Sequence, residues 1–555
     1  MNFLTKLLSP KSLPFTHKNW AKEPHSTRLG MLCQAWALQG YGAPFSVYLF
    51  YIIKMALYTA GWLFFCTFSE NLGPWETFST WYAHPEALLR FILWSMLFEI
   101  LGLGCGSGPL TARYFPPTGG FLYFLRPKTL KLPLFPGVPI IGKDARSWLD
   151  IALYASFLVL LLRALVAPSI TASYLYPVIG ILPVLGILDK TLYLAARSEH
   201  YLIAAICFLF PEDTLAGLTF VWLAIWWGAA TSKLNQHFPA VVGVMISNHA
   251  VLQFKWLRKA LYKSFPSDLR PSTFAHILAH SGTITEYGFP LLLLIGSGST
   301  ITWIGLGIML GFHIYITSSI PMGVPLEWNI IMVFGAFVLF GAYPNIHPWN
   351  IESPILLGIL LISLVIVPLL GNFFPKWFSF LLSFRYYAGN WAYSVYLFKG
   401  NSEEKLDAHL VKTCGTVKKQ LNRFYDPDTT DLLLAKVQAF RVMHLHGRIL
   451  QLLLPKTVDN IEDYQWRDGE LIAGISLGWN FGEGHLHTEQ LLRSLQERCS
   501  FQPGELRCIF VESQPMARPH LDWRIVDAHD GLISAGRTPI KELRELQPYG
   551  EPSWV

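Results

Sequence analysis

Long apolar runs, broken by short charged or proline- and glycine-rich punctuation, fill the first two thirds of the chain. Those near 43–69, 86–106, 147–167, 173–189, 197–211, 215–232, 272–296, 300–320, 326–343 and 354–373 approach the roughly 20 helical residues that cross about 30 Å of hydrocarbon. The pattern predicts an all-α polytopic membrane bundle of about ten transmembrane helices. Next comes KWFSFLLSFRYYAGNWAYSVYLFK, ending at Lys399, whose dense aromatics and interrupted apolar pattern predict a helix lying in the membrane interface over 374–400.

Beyond residue 400 the periodicity changes. Residues 402–422 and 430–455 have helical spacing, and TEQLLRSLQERC (488–499) is a short amphipathic helix. LIAGISLGW (471–479), LRCIFVES (506–513) and DWRIVDA (522–528) read as strands, with AHDG turning into LISAG. The expected plan is an N-terminal cytoplasmic tail (1–42), a transmembrane helical domain (43–373), the interfacial helix (374–400) and a small cytoplasmic α+β domain (401–555).

Composition agrees with a membrane protein. Of 555 residues 52% are hydrophobic and only 14% charged, with a mean hydropathy of +0.36. Residues 1–400 hold 25 Lys and Arg against 15 Asp and Glu, while 401–555 hold 18 against 22, so a slightly acidic soluble part follows the spans. Basic residues collect in the N-terminal segment, in 107–146 (Arg113, Arg126, Lys128, Lys131, Lys143, Arg146) and in 250–270, all on one side of a ten-span bundle. Cytoplasmic loops carry such an excess, so both termini are expected in the cytoplasm. The seven cysteines, among them Cys105, have no paired spacing and read as reduced thiols. The N-terminus has no apolar run of signal-peptide length before a cleavage site, so the first span is expected to be retained.

Charged or titratable side chains inside spans are costly and usually face a bundle interior or a wet cavity. The candidates are Lys54, Glu99, Arg163, His280, Glu286 and His313, with Lys233 at the end of its span. Under the predicted orientation His280 lies about eight residues, ~12 Å, inside the cytoplasmic end of its span. Lys233, His313 and Glu99 fall in the same half of the bilayer. For Lys233 the ordinary reading is a cation snorkelling to the headgroups. The sharper one is a reactive amine, since a lysine held away from water can serve as a neutral general base. His276 and His280 share a helix face, but zinc needs at least one further ligand and no metal is expected. AARSEHY (195–201) reads as an ion-paired helix flank or a headgroup contact, and Glu327 and Asn329 are placed where they can face the cavity of His313. GWNFGEGHLHTE lacks the order of a phosphate loop and reads as a structural turn.

Two resemblances attach to these residues. LAARSEHY, WWGAATSKLNQHFPAVVGVMISN, IPMGVPLEWNIIMVFG, HTEQLLRSLQERC and FVESQP resemble a transmembrane family of unknown function found among mycobacteria and proteobacteria. More distantly, AATSKLNQHF, AHSGTITEYGFPLLLL and GFHIYITSSI, within 220–342, resemble in order the transmembrane domain of vitamin K-dependent γ-glutamyl carboxylases. That resemblance implies Lys233 as the base that deprotonates a reduced quinone, with His280, Glu286 and His313 as its partners. One of the family's paired lysines is Ser232 here, and its Asp-x-x-Trp is Asn235-Gln-His-Phe.

The expected function is a lipid- or quinone-handling membrane enzyme. Lys233, His280, His313 and Glu286 are its catalytic residues, and Trp227, Asn235, His237 and Glu99 line a site for a quinol cofactor. Membrane lipids are the expected partners, with 401–555 free to meet a cytoplasmic protein and no nucleic acid involved. The competing expectation is a non-catalytic lipid transporter or assembly scaffold. Polar groups spread across the membrane's thickness mark a transport path, whereas clustered groups mark a site.

Overall fold

The computed structural model describes residues 7–104, 120–319, 326–379, 381–383, 389–482, 484–516 and 518–550. The readings on Cys105 and Arg113 fall outside them. The six cysteines within them are free thiols.

Helix α1 (His25–Gln39) precedes the bundle, which is built from α2 (Phe45–Cys66), α3 (Pro85–Ile100), α4 (Trp148–Leu165), α5 (Ala172–Leu188), α6 (Ser198–Cys207), α7 (Thr214–Ser232), α8 (Phe238–Asn248), α9 (Thr273–Gly296), α10 (Thr300–Thr317), α11 (Leu326–Ala336) and α12 (Pro354–Leu361). A π-helical turn carries α11 on to Ala342, and another links α12 to a last helical turn ending at Phe373. Helices therefore stand at all ten expected places, yet among the described residues five are long and apolar enough to cross a membrane: Phe45–Cys66, Trp148–Leu165, Pro211–Ser232, Thr300–Thr317 and Pro354–Phe373. The count of ten spans is corrected accordingly. Helix α6 has 10 residues, about 15 Å at 1.5 Å each, and α3 has 16. The 24-residue α9 is long enough but carries His276, His280, Thr283, Thr285 and Glu286.

Lipid-facing surfaces follow from helical spacing. On α9 Ile277, Ile284, Leu291 and Ile295 point outward, and Ala279, Thr283, Glu286, Phe289 and Leu293 point inward. Helix α2 presents Phe45, Leu49, Ile52, Ile53, Leu57 and Phe64 outward.

The C-terminal part corrects two expectations. Residues 393–399, assigned to an interfacial helix, are strand β3, an interior strand of a five-stranded antiparallel sheet. (The hairpin β1, Tyr262–Ser264, and β2, Asp268–Pro271, precedes it.) The sheet runs β4 (Tyr464–Asp468), β3, β5 (Leu506–Val511), β6 (His520–Asp527) and β7 (Gly531–Pro539). Strand β3 is apolar on both faces because each face has a core to join. Tyr396 and Phe398 belong to the cluster continuous with the bundle, while Val395 and Leu397 belong to a second cluster. A strand buried on both sides has no alternation, and its sequence cannot be told from a membrane-seeking segment by periodicity. Secondly, residues 469–477, expected as a strand, form helix α14 (Gly469–Leu477). Asp468 caps it by accepting a hydrogen bond from the Glu470 backbone N–H at 3.0 Å.

The N-terminal segment packs against this part. Trp20, Leu29, Leu32 and Trp36 share the second core with Val244 and Ile246 of α8 and with Val442 and Met443 of α13 (Pro427–Met443). The C-terminal part and the helical bundle interlock further through Arg498 and Asp144 at 2.7 Å and Lys190 and Gln490 at 2.9 Å.

Candidate functional site

Lys233 is the C-terminal cap of α7, where the chain turns into α8, begun by Phe238 and Pro239. A cation at this place on a lone helix would reach for headgroups, but here the turn folds inward. Leu234 takes the outward position, and Lys233 is only 4% exposed. Its ammonium forms an ion pair with Glu286 on the inward face of α9 and lies 5.5 Å from the Phe312 ring centre and 5.7 Å from that of Phe238. Each buried ion loses several kcal/mol of hydration, offset by the mutual attraction and by about 2 kcal/mol or more from desolvated cation–π contact.

His313, on α10, completes the centre. Its Nδ1 stands 3.0 Å from the Met309 carbonyl, which can only accept, so Nδ1 bears the hydrogen. The Trp226 indole N–H points to Nε2 at 3.4 Å, so that nitrogen presents a lone pair and the ring is neutral. Phe289 and Phe312 wall the ring. Along the same seam the Trp227 indole donates to the Tyr287 carbonyl at 3.3 Å, and the hydroxyls of Thr231 and Tyr287 are 2.6 Å apart. Lys233, Glu286 and His313 therefore converge, and Trp227 braces them. Sequence reasoning missed Trp226, Thr231 and Tyr287; the tryptophan pair was visible, but which indole turns inward is set by packing.

His280 is exposed on the outward face of α9, beside Ile277 and Ile284, and does not join this centre. Asn235 is half-buried in the α7–α8 turn, its carbonyl accepting the Phe238 N–H at 3.4 Å. His237 is buried against His446, ring centres 5.3 Å apart, at the contact with the C-terminal part.

Glu99 belongs to a different polar centre, among α2, α3, α6 and α11. Its Oε1 is 3.5 Å from Arg197 Nε, and Lys54 pairs with Glu327 at 2.8 Å while donating to the Gly104 carbonyl at 2.8 Å. Arg197 is fully buried with φ +53°, the left-handed region that costs a non-glycine residue of order 1 kcal/mol or more. Its guanidinium lies 5.1 Å from the Phe481 ring centre and 6.0 Å from Trp328, against which His200 packs at 4.7 Å. Glu327 therefore serves this second centre and not the surroundings of His313.

The C-terminal part has its own buried titratable groups. His487 Nδ1 is 2.7 Å from Ser394 Oγ, and burial pushes its pKa down to about 3. His444 and His446 are pushed down by burial to about 3 and about 4. Burial, reinforced by the Asp468 charge, raises Glu470 to about 7. Among the described residues no three His, Cys, Asp or Glu side chains gather as a metal site requires.

With this geometry in view, comparison with known proteins gives one result. A family model described as a transmembrane protein of unknown function, DUF3556, matches residues 1–553. The chain belongs to that family. It is an integral membrane protein, and the family's description assigns no chemistry. The searches of curated proteins and of solved structures gave no match.

Proposed function

We propose that this DUF3556 protein is a membrane enzyme that removes a proton from a hydroxyl group of a quinol or other lipid, with Lys233, Glu286 and His313 as the proton-handling centre. The observation that carries this reading is the Lys233–Glu286 pair, sealed from water and walled by Phe238 and Phe312. Where ions are poorly solvated, the neutral pair competes with the ionised one. A proton passing from Lys233 to Glu286 frees the amine lone pair. The amine then takes the substrate hydroxyl's proton, leaving an oxyanion beside the re-formed ammonium, which stabilises it. His313 is held neutral and oriented by Met309 and Trp226, and its role is to position the aromatic walls.

The carboxylase-like order of Lys233, Glu286 and His313 supports this reading. The outward-facing His280 does not, so the role that resemblance implied for it is dropped. Entry from the lipid side, in a bacterial inner membrane with both termini cytoplasmic, agrees with the apolar outer faces of α9 and α10 and with the basic flanking segments.

The test is labelling of the full chain in lipid nanodiscs with a photoreactive, long-chain quinone, followed by peptide mapping. Saturable labelling within α7, α9 and α10, reduced at least tenfold in Lys233→Met and unchanged in His280→Ala, is the expected result. Labelling equal in wild type and Lys233→Met, or absent from those helices, sinks the reading.

A further inference from the structure

Three helices with apolar outer faces, α2, α9 and α10, are tied at one end to the segment that follows α8. Lys11 joins this segment to the entry of α2: its backbone N–H donates to the Gly42 carbonyl at 2.9 Å and its ammonium to Gln253 Oε1 at 3.4 Å. At the exit of α10 the Ala250 N–H donates to the Ser318 carbonyl at 3.1 Å, and Ser318 Oγ lies 2.6 Å from His249 Nε2. Ser272, the N-terminal cap of α9, donates through its hydroxyl to the Ala260 carbonyl at 2.6 Å and through its N–H to that of Leu261 at 2.9 Å.

Helical spacing sorts the side chains of the segment itself. In the short helix Lys255–Ala260, Arg258 points inward and is 2% exposed, its guanidinium donating to the carbonyls of Leu38, His249 and Leu252 at 2.6, 3.0 and 3.1 Å. That attachment fixes which side faces out. At about 100° per residue, Lys255, Trp256 and Lys259 fall within one arc of about 100°, and all three are exposed. Trp256 is 69% exposed, Val251 71% and Phe254 56%. Lys263, on β1, is exposed as well, and Lys259 lies 5.5 Å from the Phe265 ring centre. Residues 249–267 contain no Asp or Glu, and among the described residues no carboxylate pairs with Lys255, Lys259 or Lys263.

We infer that residues 251–263 dock on the anionic phospholipids of the membrane that the bundle spans, with Val251, Phe254 and Trp256 below the headgroups and Lys255, Lys259 and Lys263 on their phosphates. Helices α2 and α10 are long and apolar enough to be spans, so a segment bonded to the entry of one and the exit of the other stands where they leave hydrocarbon for water. Large apolar side chains seek the acyl chains at that depth, and the lysines seek fixed negative charge beside them. An anionic leaflet supplies both at one level. Each lysine near such a surface is worth about a fivefold preference, and the three together about a hundredfold. Because Arg258 binds the segment to the end of α1, docking also holds α1 against the membrane. The inference uses none of the Lys233 centre's residues and stands apart from the chemistry proposed there.

The full chain is reconstituted in nanodiscs of phosphatidylcholine alone or mixed with phosphatidylglycerol, and amide hydrogen exchange across 251–263 is followed by mass spectrometry. Exchange at least about fivefold slower with phosphatidylglycerol is the expected result. The difference should vanish in the triple variant Lys255→Gln, Lys259→Gln, Lys263→Gln, and in about 1 M salt, where the Debye length falls to about 3 Å. It should persist in Lys18→Gln, Lys22→Gln, whose exposed lysines lie before α1, a helix of 15 residues and ~22 Å that separates them from the Arg258 contact. Equal exchange on the two lipids, or a difference that survives the triple variant, overturns the docking. A photoreactive benzoylphenylalanine in place of Trp256, irradiated in whole membranes, should form a lipid adduct; adducts to protein alone assign the patch to a protein partner and overturn it too.

Discussion

Two of the ion pairs buried in the bundle, Arg90–Glu86 and Lys233–Glu286, are built differently. Arg90 uses all five guanidinium hydrogens: two go to Glu86, and the others to the carbonyls of Phe65, Leu165 and Ala167 at 2.6–3.1 Å. Glu86 is filled in turn by Ser69 and Asn71. This cluster closes the ends of α2 and α4 onto α3, and it has no valence left for chemistry. Lys233 and Glu286 are equally buried, but their surroundings are aromatic rings in place of carbonyls. Burial of a charge is therefore not the mark of a reactive site. What distinguishes the two is whether the remaining hydrogen-bonding capacity is taken up by the fold.

The largest effect should come from Arg90→Met, which orphans three carbonyls and the Glu86 carboxylate. It should cost about 3–5 kcal/mol in denaturant unfolding, and Glu86→Leu added to it should not restore the loss, because the carbonyls stay unpaired. Lys233→Met alone should cost about 2–3 kcal/mol, and the pair Lys233→Met, Glu286→Leu should return to within about 1 kcal/mol of wild type. If the double variant stays as unstable as Arg90→Met, the two pairs are alike and the contrast fails.

A third kind of buried polar group, the neutral imidazole, sharpens the contrast outside the membrane. His446 is held near 4 by burial, against 6.5 when unfolded. Above pH 6.5 neither state binds its proton; below it the unfolded state does, so stability falls as pH drops from 6.5 toward 4. Between pH 7 and 5 its share of that loss is about 2 kcal/mol, and His446→Phe should shrink the measured pH dependence by that amount. The smallest effect belongs to His280→Ala on the exposed face of α9, within about 0.5 kcal/mol of wild type. A clear loss there would return His280 to the interior.

Part of the candidate site was legible without coordinates. Lys233, Glu286 and His313 were singled out because titratable residues in apolar runs are expensive, and all three are inside. His280 was grouped with them by depth and by the carboxylase-like order of motifs. At 100° per residue, its six-residue separation from Glu286 places the two about 120° apart around the helix, enough to put one on lipid. The Arg197 centre was not legible as a unit, because Lys54, Glu99, Arg197, Glu327 and Phe481 belong to five separate segments. The glycine-rich loop read as a plain turn because nothing in it shows that Trp479 is carried into the core continuous with the bundle.

The chain by itself determined where ten of the bundle's helices form, that several are apolar enough to cross a membrane, and that a mixed α+β part follows, since these depend on local spacing and on the solvent each side chain seeks. Tertiary structure decided which apolar runs are long spans and which are short packed helices. It also made an aromatic stretch an interior strand of a sheet and set which buried charges are saturated and which are left with capacity to spare. Those outcomes depend on partners hundreds of residues away, and hydrogen-bond valence is counted only once the partners have met.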